Sequence, residues 1–426
     1  VGEVGQNVLG TALKTKEMRI YYFFAIPFVL SVALVSCKKH KENKVEPDSQ
    51  YFKYVDTETL ANDLVPLDMV RTTDQGFLFL GSSPSENLRY TRTYLLKLNK
   101  EGEFLWDKYL ENNFLNPISE LMLKQGSYFI FCMDELANTH LVKINDSNGE
   151  AQSVKYFEDI RTPLHGSITP DGGFLILNII QGDDLLTVFR KLNPDLTMAW
   201  KENSEFSYQE KFKEKLNSHI NRFSRPLPFL TGTIVGSNEC YFFNGLFDDH
   251  LSCVFVNPKN GKADGYSMIF GTNTDAAIRY ILPMEDNRFA ICRYDAFGTN
   301  FLIPNATIPI LGSPTVSTQL GGTTFADMEP NSRILCRRHV VAGKDVIIYA
   351  ANNRNKGVGL YAFDANSGAF LGSKSLNLES PCEMGGFAPT ADGGLAVLAK
   401  TYVVNRFPRV LVFKLNEEEA KQLVGG

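Results

Sequence analysis

Three widely separated stretches of this chain read almost alike: RTTDQGFLFLGSS around Asp74, ITPDGGFLILNII around Asp171 and PTADGGLAVLAKT around Asp392. Aligning the apolar run that follows each such turn gives seven landmarks: Phe77, Tyr128, Phe174, Tyr241, Phe289, Val346 and Leu395. They are separated by 51, 46, 67, 48, 57 and 49 residues. A period near fifty with about four short strands per unit constrains the fold more than any other feature. One such unit cannot bury its faces alone, and a ring of them can. The expectation is an all-β chain forming a single β-propeller over residues 51–426, with seven four-stranded blades. A miscounted unit five would make it six or eight.

Each unit shares an internal grammar. A weakly polar strand leads into a Gly-containing turn and then the landmark strand. After a variable loop, a third strand ends in Lys-Leu-Asn or a relative, and a fourth often carries an aromatic residue. Unit one shows all of this in YLLKLNKEGEFLWDKYL, Tyr94 to Leu110. Asp-Gly-Gly between apolar runs supplies positive φ at low cost, while the Asp side chain can hydrogen-bond the turn backbone. Asp74, Asp171 and Asp392 therefore read as structural, not catalytic. Unit five, NFLIPNATIPILG, keeps little of the pattern. The chain begins its β-like text at Gln50–Leu60, and the last unit ends soon after its third strand. The early strand is expected to supply the outer strand of blade seven, which removes open sheet edges.

This grammar resembles the repeat-propeller lipoproteins common in Bacteroidota, with quinoprotein-like or WD-like repeats, over essentially all of residues 51–426. AFDANSGAF, Ala362 to Phe370, resembles the Ala-x-Asp-x-x-Thr-Gly repeat of quinoprotein-like propellers. Ser367 stands where that repeat has Thr, and the Trp that follows it in that family is absent. With two Trp in all, Trp106 and Trp200, a full girdle of Trp docking is impossible. The resemblance implies the blade and no cofactor.

The N-terminus reads as targeting sequence. Arg19 is followed by an apolar run from Ile20 to Val35, short for a bilayer span of roughly 20 residues. It ends in LVSC, Leu34 to Cys37, which resembles the lipobox of bacterial lipoproteins. That resemblance implies cleavage of an 18–36 signal peptide before Cys37 and acylation of Cys37, with more than one acyl chain for stable anchoring. Residues 1–17 fit no part of a signal and read as an upstream extension. Lys38 to Gln50 is polar and aperiodic, a tether in composition. Lys38 directly after the Cys, in place of Asp, favours the outer membrane. The expected localisation is lipid-anchored there, facing either side.

Six cysteines follow Cys37, mostly in apolar runs where free Cys behaves as a small hydrophobe. Cys240 and Cys253 flank one hairpin and are the best candidates for a bridge. The 67-residue gap contains SYQEKFKEKLNSHINRF, with Tyr208, Phe212, Leu216, Ile220 and Phe223 on one helical face. Ser207 and Glu210 have capping-box spacing, so a helical insertion over 207–223 is expected. It would either pack on blade three or four or dock a partner.

No catalytic or metal motif of known spacing is present, and no cofactor or metal is expected. A net charge of -5 leaves no basic footprint for nucleic acid. FDDHLSC, Phe247 to Cys253, reads as a polar hairpin tip before it reads as a metal site. CRRHV puts Arg337 and His339 on one face of a first strand, toward the channel, and Arg338 on the other. With Arg71, Arg279 and Asp68 at comparable positions, Arg337, His339, Arg279 and Arg71 are the candidate ligand-binding residues for an anionic group. The expected function is a non-catalytic binding or scaffold module presenting a rim to an envelope protein or a glycan. The alternative is a polysaccharide-active lyase or hydrolase. Tyr, His, Arg or carboxylates converging at one channel mouth would distinguish it.

Overall fold

Seven sheets, antiparallel except at the outer edge of blade 4, radiate about a central channel in the computed structural model. It describes residues 51–55, 63–202, 204–222, 227–236, 239–272, 276–403 and 407–425. The expected signal segment, Cys37, the expected tether to residue 50 and Phe223 lie outside the described residues. The inner strands of blades 1 to 7 are Val65–Arg71, Met122–Lys124, Pro163–Ile168, Leu230–Ile234, Ile278–Pro283, Ile334–Val341 and Cys382–Pro389. Each landmark residue falls in the second strand of its blade. The core lies between blades: Leu67 and Leu78 of blade 1, for example, pack with Tyr128 and Ile130 of blade 2.

The ring closes as the sequence predicts. Tyr51–Val55 pairs antiparallel with Phe407–Leu415, Tyr51 opposite Lys414 and Val55 opposite Val410, completing blade 7.

The repeated turns explain both halves of the sequence grammar. In blade 1 the Thr72 hydroxyl and the Gly76 N–H donate to Asp74, at 2.5 and 3.0 Å. Lys97, from the Lys-Leu-Asn of the third strand, reaches back to the same carboxylate at 2.8 Å. Lys191 closes the same triad with Thr169 and Asp171 in blade 3, and Lys414 with Thr390 and Asp392 in blade 7. These donors hold Asp171 down to about 2 against a desolvation that opposes them, Lys191 contributing most. The lysine thus fastens the turn between strands one and two to strand three.

Trp106 and Trp200 each reach the next blade. Trp106 donates to the Asp146 carbonyl at 3.2 Å and Trp200 to the Pro258 carbonyl at 3.0 Å. Each indole lies over a glycine at positive φ, Gly149 or Gly261, where an added Cβ would stand 2.7 or 2.6 Å from the ring. Two joints thus use Trp docking.

Blade 5 has three strands and blade 4 has five. After blade 5's third strand the chain crosses over, and Thr315–Val316 pairs parallel with blade 4's outer strand, Met268–Phe270. Phe325, on the return, packs against Tyr361 and Phe370 of blade 6, with ring centroids 4.6 and 5.1 Å apart. The weak pattern of unit five therefore marks an adapted blade.

Three local expectations are corrected. Ser207 pairs with Leu186 at the end of blade 3's outer strand, so it does not cap a helix. A 3-10 turn, Glu210–Phe212, leads instead into α1, Lys213–Ile220, with no side-chain cap. Cys253 lies opposite Asn244 and not Cys240, and all six described cysteines are buried free thiols. A second helix, α2, Glu417–Leu423, follows the last strand, capped reciprocally by Asn416 and Glu419. It lies in text that carried no helix expectation.

Candidate functional site

Four inner strands carry a one-residue bulge at the same place. The register skips Leu67 in blade 1, Leu164 in blade 3, Arg279 in blade 5 and Gly385 in blade 7. A bulge re-aims side chains and is common beside functional sites. In blades 1, 3 and 5 it turns two successive residues toward one mouth of the channel: Leu67 and Asp68, Leu164 and His165, Arg279 and Tyr280. All six line a cavity of about 510 Å³. Asp68, His165 and Tyr280 hold equivalent positions, opposite Leu80, Leu177 and Cys292. Blade 6 lacks the bulge, and Arg337, opposite Ile348, lines the same cavity.

The floor is a network drawn from three blades. Asp68 is 1% exposed. One of its carboxylate oxygens accepts the Met69 N–H at 2.8 Å and Arg337 Nη2 at 3.4 Å; the other accepts the Leu121 N–H at 2.9 Å. Arg337 Nη1 donates to the Tyr280 hydroxyl at 2.6 Å. Burial raises the Asp68 carboxyl above its ordinary range, with Arg337 and the Leu121 N–H pulling against it. Burial likewise raises the Tyr280 phenol, and Arg337 opposes that shift. Arg333 donates to the carbonyls of Pro66, at 3.3 Å, Gly385, at 3.4 Å, and Leu67, tying blade 6 to blades 1 and 7.

Two histidines are fixed as neutral donors. The Thr231 N–H donates to His165 Nδ1 at 3.1 Å, and the Leu227 N–H to His219 Nδ1 at 2.9 Å. A ring nitrogen that accepts a backbone N–H carries no proton, so in each ring Nε2 holds it. Burial brings both rings down to about 3, aided by Arg333 at His165 and by Arg222 at His219. His219 and Ile220 come from α1 and Arg222 from the turn after it, and all three line the cavity. The insertion therefore packs Tyr208, Phe212, Leu216 and Ile220 into the core around blades 3 and 4 and also walls the channel mouth.

Of the four sequence candidates, Arg337 and Arg279 line the cavity, and His339 and Arg71 do not. Arg279 also stacks its guanidinium 4.1 Å from the Tyr294 ring centre. His339 packs against Phe387 with its Nε2 buried and unpartnered, and burial together with Arg337 lowers it to about 4. Arg71 closes blade 1's inner strand opposite Phe77, at the turn end of the blade. Asp248 and Asp249 form a hairpin tip between Phe247 and His250, and no group of three or more His, Cys, Asp or Glu among the described residues is placed to hold a metal ion. His165, His219, Tyr280, Arg222 and Arg333 were not among the candidates. A usable signal was present for some of them: Asp68, His165, Tyr280 and Arg337 each stand nine residues before their landmark, at Phe77, Phe174, Phe289 and Val346.

No protein-family model matches the chain, and no curated protein matches it. Among solved structures, a putative gluconolactonase is 12% identical, with 87% of this chain and 93% of its own covered and a TM-score of 0.38. A putative 6-phosphogluconolactonase from Bacteroides uniformis is 13% identical, with 80% and 100% covered and a TM-score of 0.44. A glucose dehydrogenase is 12% identical, with 71% and 97% covered and a TM-score of 0.43. The expectation of a non-catalytic scaffold is corrected at this point. The channel mouth gathers Tyr280, His165, Arg337 and the Asp68 carboxylate, the kinds of group whose convergence was to distinguish an enzyme from a scaffold.

Proposed function

We propose that the chain is a propeller enzyme that cleaves glycosidic bonds in a polysaccharide at this channel mouth, as a lyase or a hydrolase. The observation that carries the reading is the convergence of Asp68, His165, Tyr280 and Arg337, from blades 1, 3, 5 and 6, on one cavity of ligand size. Each has a part to play. Tyr280, held by an Arg337 N–H, can exchange a proton with a sugar oxygen or carbon. Arg337 steadies the charge that develops on the phenol oxygen, and Asp68 holds Arg337 in place. Neutral His165 offers an Nε2–H for polarising a substrate oxygen. Both Asp68 oxygens are already occupied, which suits it to positioning and not to proton transfer.

The protein is further proposed to be an envelope lipoprotein of the Bacteroidota type, anchored to the outer membrane through acyl chains on Cys37. The Leu34–Cys37 text and the repeat grammar support this.

The test is incubation of purified protein with a panel of neutral and acidic polysaccharides, reading reducing ends and unsaturated products. Turnover of at least one polymer is expected, with the rate reduced about 100-fold or more by Tyr280→Phe at unchanged melting temperature. Absence of product from every polymer, or a Tyr280→Phe variant at full rate, would refute it.

A further inference from the structure

Arg222, Arg333 and Arg337 line the channel mouth together with Asp68, Glu120 and Glu383. Arg337 is bound to Asp68 at 3.4 Å and Glu383 to Lys400 at 2.8 Å. Arg333 and Arg222 have no carboxylate partner among the described residues. Arg333 spends its Nη donors on the three carbonyls described above. Arg222 gives Nη2 to the Pro117 carbonyl, and its Nε is buried without any partner. A guanidinium Nε–H buried without an acceptor is costly, and a carboxylate is the partner whose geometry answers it best. Burial and the nearby charge of Arg333 bring Arg222 down to about 10, which an anion between them would reverse.

The neighbours of Arg222 suit a sugar bearing such a group. His219, three residues before it, presents a neutral ring whose proton is on Nε2, a donor for a hydroxyl or a carboxylate. Ile220, Phe229 and Leu164 give apolar wall against which the C–H face of a ring can lie.

Taking the channel mouth as the substrate site, as proposed above, we infer that its substrate is an acidic sugar, a uronate whose carboxylate binds against Arg222. Glu120, which also lines the cavity, faces sugar hydroxyls in this arrangement and excludes a second carboxylate from its side.

The test is calorimetric titration of the purified protein with glucuronate and, separately, with glucose. Glucuronate is expected to bind at least tenfold more tightly at low salt, with the advantage shrinking as salt is raised. Arg222→Met should erase the preference while Arg222→Lys keeps part of it, each at a melting temperature near that of the parent. Equal affinities, no binding of glucuronate at millimolar concentration, or a preference that survives Arg222→Met overturns the inference. If Arg222→Met fails to fold, the glucuronate–glucose comparison in the parent protein still decides it. The two readings fail separately. Glucuronate binding without turnover of any polysaccharide refutes the enzyme and leaves the acidic ligand. Turnover confined to neutral polymers does the reverse.

Discussion

Removing Asp74 should destabilise the propeller more than removing the lysine it neutralises. Lys97 is 1% exposed, and its ammonium has three partners: Thr72 Oγ1 at 2.5 Å, Asp74 at 2.8 Å and Asp146 of blade 2 at 3.6 Å. Asp74→Ala takes away the nearest counter-charge and the acceptor of both the Thr72 hydroxyl and the Gly76 N–H, leaving a buried ammonium served at longer range. Breaking a buried pair from one side costs about 3–5 kcal/mol. The Asp74 side chain is 54% exposed and Asp146 remains, which places the expected loss near the bottom of that range or just under it, about 2–3 kcal/mol. Lys97→Met fills the same space with an apolar chain and releases Asp74 to water, so its cost should be about 1 kcal/mol or less. The double variant should then be more stable than Asp74→Ala alone. Urea unfolding followed by far-UV circular dichroism, and by the fluorescence of Trp106 at the same blade joint, measures all three. An Asp74→Ala loss below about 0.5 kcal/mol, or a Lys97→Met loss exceeding it, would refute the view that the carboxylate is there for the lysine.

Three further outcomes can be checked. His165 and His219 are held at about 3 in the folded chain against about 6.5 when unfolded, so the unfolded state takes up the extra protons. Their contribution is intact above pH 6.5 and is lost as pH falls toward 3. His165→Gln should therefore flatten the decline of stability between pH 6 and 4, and an unchanged slope would show the ring is not held neutral. Phe325→Ala should cost about 2 kcal/mol and raise proteolysis of the 308–331 excursion, since a half-buried ring loses part of the 3–5 kcal/mol typical of a core Phe; an unchanged melting temperature would show that the segment does not brace blade 6. Cys37→Ser should move the protein from the membrane pellet to the soluble fraction of its native host, and retention in the pellet would count against an acyl anchor.

The fold was legible because its repeat is local. An Asp-Gly-Gly turn and a Lys-Leu-Asn strand end are each readable within a dozen residues, and both recur at blade spacing. What they do to each other was not legible: that Lys97 and Asp74 meet depends on the register of two strands, which spacing alone does not state. Helix α1 was half legible. The apolar spacing from Tyr208 to Ile220 was real, but the ladder to Leu186 claimed Ser207 and shortened the helix. The site was the least readable part. Its four polar residues share a position in the repeat, yet each is a different residue type, so a motif search sees nothing, and the bulge that aims Asp68, His165 and Tyr280 leaves no mark in composition. Arg222 falls outside the repeat altogether, in the insertion.

The pairing of Tyr51–Val55 with Phe407–Leu415 has a consequence for how the molecule comes into being. The first strand of the propeller pairs with its last, so it must stay unclaimed until every other blade has been made. Blade 7 then acts as a clasp joining residues 51–55 to residues 407–415, and loss of either strand opens the same seam. A tag or fusion placed after α2 therefore sits beside the joint on which the whole ring depends.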